Sequence, residues 1–124
     1  MRLDHKKLAV YARALEVMAL SDETTESLPR GRSQVREQMD KAATSVVANV
    51  AEGAGEFQPR EKARFFRIAR RSAVELAAWF DIVEQRGEVS EHTARRAERL
   101  ITELVAMLVK LTKSCERLES KRRG

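Results

Sequence analysis

The sequence predicts an all-α fold, an antiparallel up-down-up-down four-helix bundle, and three observations carry that reading. Apolar residues recur at helical spacing through four long segments, and only 5 Gly and 2 Pro interrupt 124 residues. Hydrophobic residues make up 43% against 35% charged and 5% aromatic, a balance of long amphipathic helices rather than strands and turns. The length suits one domain with a modest core, residues 1–120, followed by a basic tail at 121–124.

The first helix is expected over about 4–20, with Leu8, Tyr11, Leu15 and Met18 as its stripe. Residues 21–31, rich in Ser, Thr and Glu and closed by Leu28-Pro29-Arg30-Gly31, read as a connection, because proline stops a helix passing through it. Ser33 is placed to cap a second helix over 33–53, whose stripe is Val35, Met39, Ala42, Val46 and Asn49. Gly53 then suits the left-handed position after the last turn. Pro59, a residue tolerated at a first helical position, opens a third helix over 59–86 with the stripe Phe66, Ala69, Ala73, Leu76, Phe80 and Val83, closed by Gly87. Ser90 caps a fourth over 90–119, with Ala97, Ile101, Leu104, Leu108, Leu111, Cys115 and Leu118 inward. Short connections between helices of this length favour antiparallel neighbours.

Helices two and three carry more apolar surface than one core needs. Residues 42–51 hold no charge on any side, and helix three bears a second stripe of Phe65, Ile68, Ser72, Glu75, Trp79 and Ile82, about 100° from the first. A second stripe implies a second contact, so a homo-oligomer is expected through Ala43, Val47 and Val50 with Phe65, Ile68, Trp79 and Ile82. A carboxylate buried in that contact needs donors, and Ser45 and Asn49, one turn apart, are placed to form a polar layer with Ser72 and Glu75.

No constellation for catalysis emerges. His5 and His92 form no Glu-x-x-His pair of the kind that holds metals in bundles, and Cys115 sits on an inward stripe with no second cysteine to join it. Gly53-Ala54-Gly55 lacks the Lys-Ser/Thr of a phosphate loop. No metal, cofactor or enzymatic activity is therefore expected. A lone cysteine fits a reducing compartment, and Arg13 and Glu16 interrupt the only apolar run near the start, so a cytoplasmic protein with no membrane span is expected.

What the sequence does concentrate is positive charge. The chain carries +5 overall with a pI near 9.8, and residues 60–71 alone carry +5. Arg60, Arg64, Arg67 and Arg71 lie at i, i+4, i+7 and i+11, one narrow stripe opposite the core face, flanked by Lys62 and Arg70. The C-terminal stretch, with Lys110, Lys113, Arg117, Lys121, Arg122 and Arg123 against Glu116 and Glu119, adds +4. Arginines along one exposed face match successive phosphates, while the absence of aromatics among them argues for backbone rather than base contacts.

The run Ala-Ala-Thr-Ser-Val-Val-Ala-Asn-Val-Ala-Glu-Gly over 42–53, followed by Glu61, Phe65-Phe66-Arg67-Ile68-Ala69, Ser72 and Glu75, resembles the bacterial four helix bundle protein family, also called the large-subunit ribosomal RNA intervening-sequence protein family. Leu8-Ala9-Val10-Tyr11 and Leu28-Pro29 resemble it too. The resemblance implies a bundle assembling as a ring, a pentamer, similar to the accessory protein of diversity-generating retroelements, which binds nucleic acid and a reverse transcriptase. It makes Asn49, Glu52, Gly53, Ser72 and Glu75 architectural positions, and it departs at Arg71, where the family usually has glycine. The expectation is thus a non-enzymatic homo-oligomer that binds RNA, DNA or a hybrid through backbone electrostatics, possible protein partners including a reverse transcriptase. The alternative is a protein-interaction scaffold whose charge serves solubility or an acidic partner.

Overall fold

Apolar side chains at three- and four-residue spacing leave water together only if each helix turns one face inward. The computed structural model, which describes residues 8–124, shows this in four helices: α1 (Ala9–Glu26), α2 (Ser33–Gly55), α3 (Pro59–Gln85) and α4 (Glu91–Arg123). α1 packs on α2 and α4, and α3 packs on α2 and α4, which is a square of antiparallel neighbours. Met39, Val46, Val50, Leu76, Val83, Leu104 and Leu108 fill its centre.

The expected start of α1 near Asp4 lies outside the described residues, and its end differs from expectation. The helix continues through the Ser/Thr stretch to Glu26, because Ser21 and Thr24 prolong the inward face formed by Val10, Ala14, Val17 and Leu20. Buried Thr24 donates its hydroxyl to the Leu20 carbonyl at 2.8 Å, which satisfies it within the helix. The inward face is therefore displaced from the expected stripe: Leu8, Tyr11 and Met18 flank the core, and Leu15 is exposed.

The carbonyls at the end of α1 meet an arginine from the next helix. Arg36 donates to the carbonyls of Thr25 (3.0 Å), Leu28 (2.5 Å) and Pro29 (3.1 Å), so one side chain closes the loop that Gly31 turns at a φ of 86°. Ser33 does not cap α2; it is the first helical residue, and Arg32 stands before it without a side-chain cap. Arg32 instead pairs with Glu88 in the α3–α4 loop, and this hydrogen-bonded guanidinium holds the Glu88 carboxyl below its usual range.

Gly53 is also placed differently. It is helical and buried within α2, which runs on to Gly55, and the ring of Phe66 explains why glycine stands there. A Cβ at position 53 would lie 2.6 Å from Phe66 Cε1 and 2.8 Å from Cδ1. Gly53→Ala is expected to lose about 1–3 kcal/mol to overpacking, against a helix-propensity gain of about 1 kcal/mol. Urea unfolding should show net destabilisation that Phe66→Leu relieves in the double variant; alanine alone raising stability would contradict the close approach.

At the other end of α3, Gly87 takes a φ of 71° as expected. Its N–H bonds the Glu84 carbonyl and that of Glu88 bonds Val83, the paired closure that uses up the last carbonyls of a helix. Ser90 caps α4 as expected, accepting from the Thr93 N–H at 3.1 Å. α4 is longer than expected, and Lys121, Arg122 and Arg123 form its last turn rather than a loose tail, their charge matching the negative end of the helix dipole. Leu118 is 51% exposed and Leu111 half-buried. The contacts Arg13–Glu103 (3.0 Å) and Arg96–Glu23 (3.8 Å) fix α1 against the first half of α4.

Candidate nucleic-acid interface

The first three turns of α3 carry the arginine stripe on the face away from Phe66, Ala69 and Ala73. Arg60, Arg64, Arg70 and Arg71 are exposed, and Arg67 is half-buried. The glycine-to-arginine departure at position 71 thus lies on an open face of the chain. Because α4 runs antiparallel, its last turns lie beside the first turns of α3: Arg67 meets Glu116 at 2.8 Å, and Arg122 donates to the side-chain oxygen of Gln58. Two basic segments separated by some forty residues of sequence therefore form one end of the bundle. Residues 60–71 and 110–123 together hold +9, against +5 for the whole chain, which leaves the remainder at −4. An open hollow of about 370 Å³ lies between them, lined by Gln58, Arg60, Glu61, Glu119, Arg122 and Arg123.

Three carboxylates sit inside this basic surface. Glu61 accepts from Arg64 Nε at 3.0 Å, Glu116 from Arg67, and Glu119 from Arg123 Nε at 3.2 Å. Pairs this exposed contribute about 0–1 kcal/mol, so they align guanidiniums while leaving them free to exchange a carboxylate for a phosphate. Arg64 also lies over the Phe65 ring, 4.5 Å from its centroid, which restrains it further. Arg60, Arg70, Arg71 and Lys121 make no ion pair among the described residues.

Lys62 is a correction. Its ammonium donates to the carbonyls of Gly53 (3.0 Å) and Ala54 (3.1 Å), so it caps the end of α2 across the loop instead of facing solvent with the arginines. Sequence reading also missed Gln58, which ties the loop to α4, and Phe57, which no periodicity marks because it lies in the short segment between two helices.

The residues assigned to subunit contact divide. Ala43 and Val50 are buried in the core of the single chain, so they are not available to a second copy. They face inward because α2 turns a wide face to α1 and α3 together. Val47, Phe65, Ile68, Trp79 and Ile82 are half-buried at the edges of their helices. The polar layer is present in part: the Ser45 and Ser72 hydroxyls lie 2.7 Å apart, and Asn49 Nδ2 donates to the Ser45 carbonyl (2.8 Å) and hydroxyl (3.2 Å), linking α2 to α3. Glu52 and Glu75 stay outside it, exposed.

Titratable groups elsewhere are sparse. Burial pushes the Cys115 thiol up, so it rests as a protonated core residue. His5 lies outside the described residues, and His92 is exposed at the start of α4. Among the described residues no group of three His, Cys, Asp or Glu is arranged to hold a metal, and no helix is long and apolar enough to cross a membrane.

A solved structure from Bacteroides thetaiotaomicron, described as a protein with unknown function from the S23 ribosomal protein family, matches this fold with a TM-score of 0.78. The two are 18% identical over 85% of this chain and 99% of that one. No curated protein matches. Residues 6–110 match the family described as 23S rRNA-intervening sequence protein. With that match spanning most of the chain and the four-helix fold in place, the protein belongs to the 23S rRNA-intervening sequence protein family.

Proposed function

We propose that this protein is a non-enzymatic, cytoplasmic nucleic-acid-binding bundle that works as a homo-oligomer, gripping RNA, DNA or a hybrid through its phosphates. The observation that carries this is the convergence of the α3 arginine stripe and the α4 C-terminal turns at one end of the molecule, where +9 is gathered on a chain of net +5. A backbone-reading surface needs donors spaced along a rigid element and little else, and two antiparallel helices supply them. Self-association through Phe65, Ile68, Trp79 and Ile82 would repeat the basic end in each copy and raise the local field accordingly. A ring of five is the form the family resemblance implies.

The convergence is tested by ultraviolet cross-linking to a bound oligonucleotide followed by peptide mapping. Cross-linked peptides are expected from residues 57–71 and 113–123. Adducts confined to residues 86–103, at the opposite end of the bundle, would contradict the assignment.

A further inference from the structure

The basic end carries one residue that phosphate binding does not use. Phe57 is 94% exposed, the most exposed of the large hydrophobic residues among those described, and it stands in the α2–α3 loop directly before Gln58, which lines the basic hollow. A phenylalanine held in water gains nothing for the fold. Its neighbours are not loose. Gln58 directly after it is tied to Arg122, and Lys62 holds the end of α2 directly before the loop, so the ring is presented from a segment anchored on both sides. Gln58 lines the basic hollow together with Arg60, Arg122, Arg123 and the carboxylates Glu61 and Glu119, so the loop that carries the exposed ring borders a surface rich in cations.

Resting on the phosphate reading above, we infer that Phe57 is a stacking platform for an unpaired nucleobase, so that the preferred substrate is single-stranded nucleic acid, a loop or a free end. An intact duplex offers only its terminal pair to such a ring, because its other bases are stacked on one another. A single strand offers a base between two phosphates, and that pattern suits an exposed aromatic on a loop that adjoins an arginine-rich surface. Stacking is indifferent to base identity, so the platform selects strandedness rather than sequence.

The test compares wild type, Phe57→Ala and Phe57→Tyr by fluorescence anisotropy against labelled single-stranded RNA, single-stranded DNA, duplex, and a strand of equal length carrying abasic sites. Wild type is expected to bind the intact strand about 5- to 150-fold more tightly than the abasic one, the range expected of one stacked base. Phe57→Ala should erase that preference while keeping the salt dependence, and Phe57→Tyr should restore it. The RNA and DNA arms decide which sugar the platform accepts. Equal binding of intact and abasic strands by wild type, with steep salt dependence, overturns the stacking role and leaves the phosphate reading standing. No binding of any strand overturns both. Because Phe57 is almost wholly exposed, circular dichroism melts of the three proteins should coincide.

Discussion

Replacing Arg60, Arg64, Arg67 and Arg71 together by glutamine is expected to weaken nucleic-acid binding by about 10²- to 10³-fold near physiological salt. Each phosphate contact releases about 0.9 of a counterion from a duplex, slightly less from a single strand, so four contacts contribute roughly three logarithmic units at 0.15 M salt. The plot of log affinity against log salt should flatten by about three units for the same reason. The fold should survive. Three of these side chains are exposed, and the loss of the Arg67–Glu116 pair, open to solvent on both sides, costs about 1 kcal/mol at most. Anisotropy titrations of the variant over a salt series measure both effects. An unchanged slope would place the contacts on the α4 turns alone.

The second large effect concerns assembly. Trp79→Ala with Ile82→Ala should reduce the particle to the 14.1 kDa chain in light scattering while the helical circular dichroism persists. Both residues are half-buried at an edge of α3, one turn apart, an arrangement suited to anchoring a second copy. Truncating an interface anchor of this kind costs about 2–4 kcal/mol, enough to raise a dissociation constant 30-fold or more at each contact. A variant of unchanged mass would remove the α3 edge from the interface. Because Ala43 and Val50 are enclosed in the single chain, the proposed contact would rest on side chains at helix edges, where Asn49, Ser72 and the exposed Glu75 would supply its polar part.

Much of the fold was legible because helical periodicity is a strong signal in long segments. The α3 stripe from Phe66 to Val83 is buried at every position expected, and Gly87 and Ser90 end and begin their helices by the expected chemistry. Where the reading failed, a second physical cause competed with the first. Ser21 and Thr24 look like turn residues by composition, but both are small enough to sit on the inward face of a helix, the Thr24 hydroxyl bonds back to the Leu20 carbonyl, and neighbouring Leu20 kept that face going. Gly53 looked like a left-handed terminus, yet glycine also serves where another side chain must come close, and no local pattern reports a phenylalanine thirteen residues away. Leu118 keeps the apolar periodicity of α4 and is exposed, since periodicity marks a face of a helix and not what packs on it.

The site was legible in its charge and illegible in its grouping. The i, i+4, i+7, i+11 arginines are visible in one dimension; that they share an end with Arg122 and Arg123 follows only from antiparallel packing in a definite register. The close approach of α3 to the end of α2 likewise turned Lys62 from an expected phosphate ligand into a helix cap.

A phosphate-binding surface at this end of the bundle shows itself in the salt dependence of wild-type binding. Labelled single-stranded, duplex and hybrid oligonucleotides are titrated from about 50 to 200 mM salt, a range over which 6–10 phosphate contacts change affinity by roughly 10³–10⁵. Binding at low salt is expected, with a steep linear fall of log affinity against log salt. Binding that ignores salt, or no binding even at the lowest salt, would contradict that surface and leave a protein scaffold as the function of the bundle.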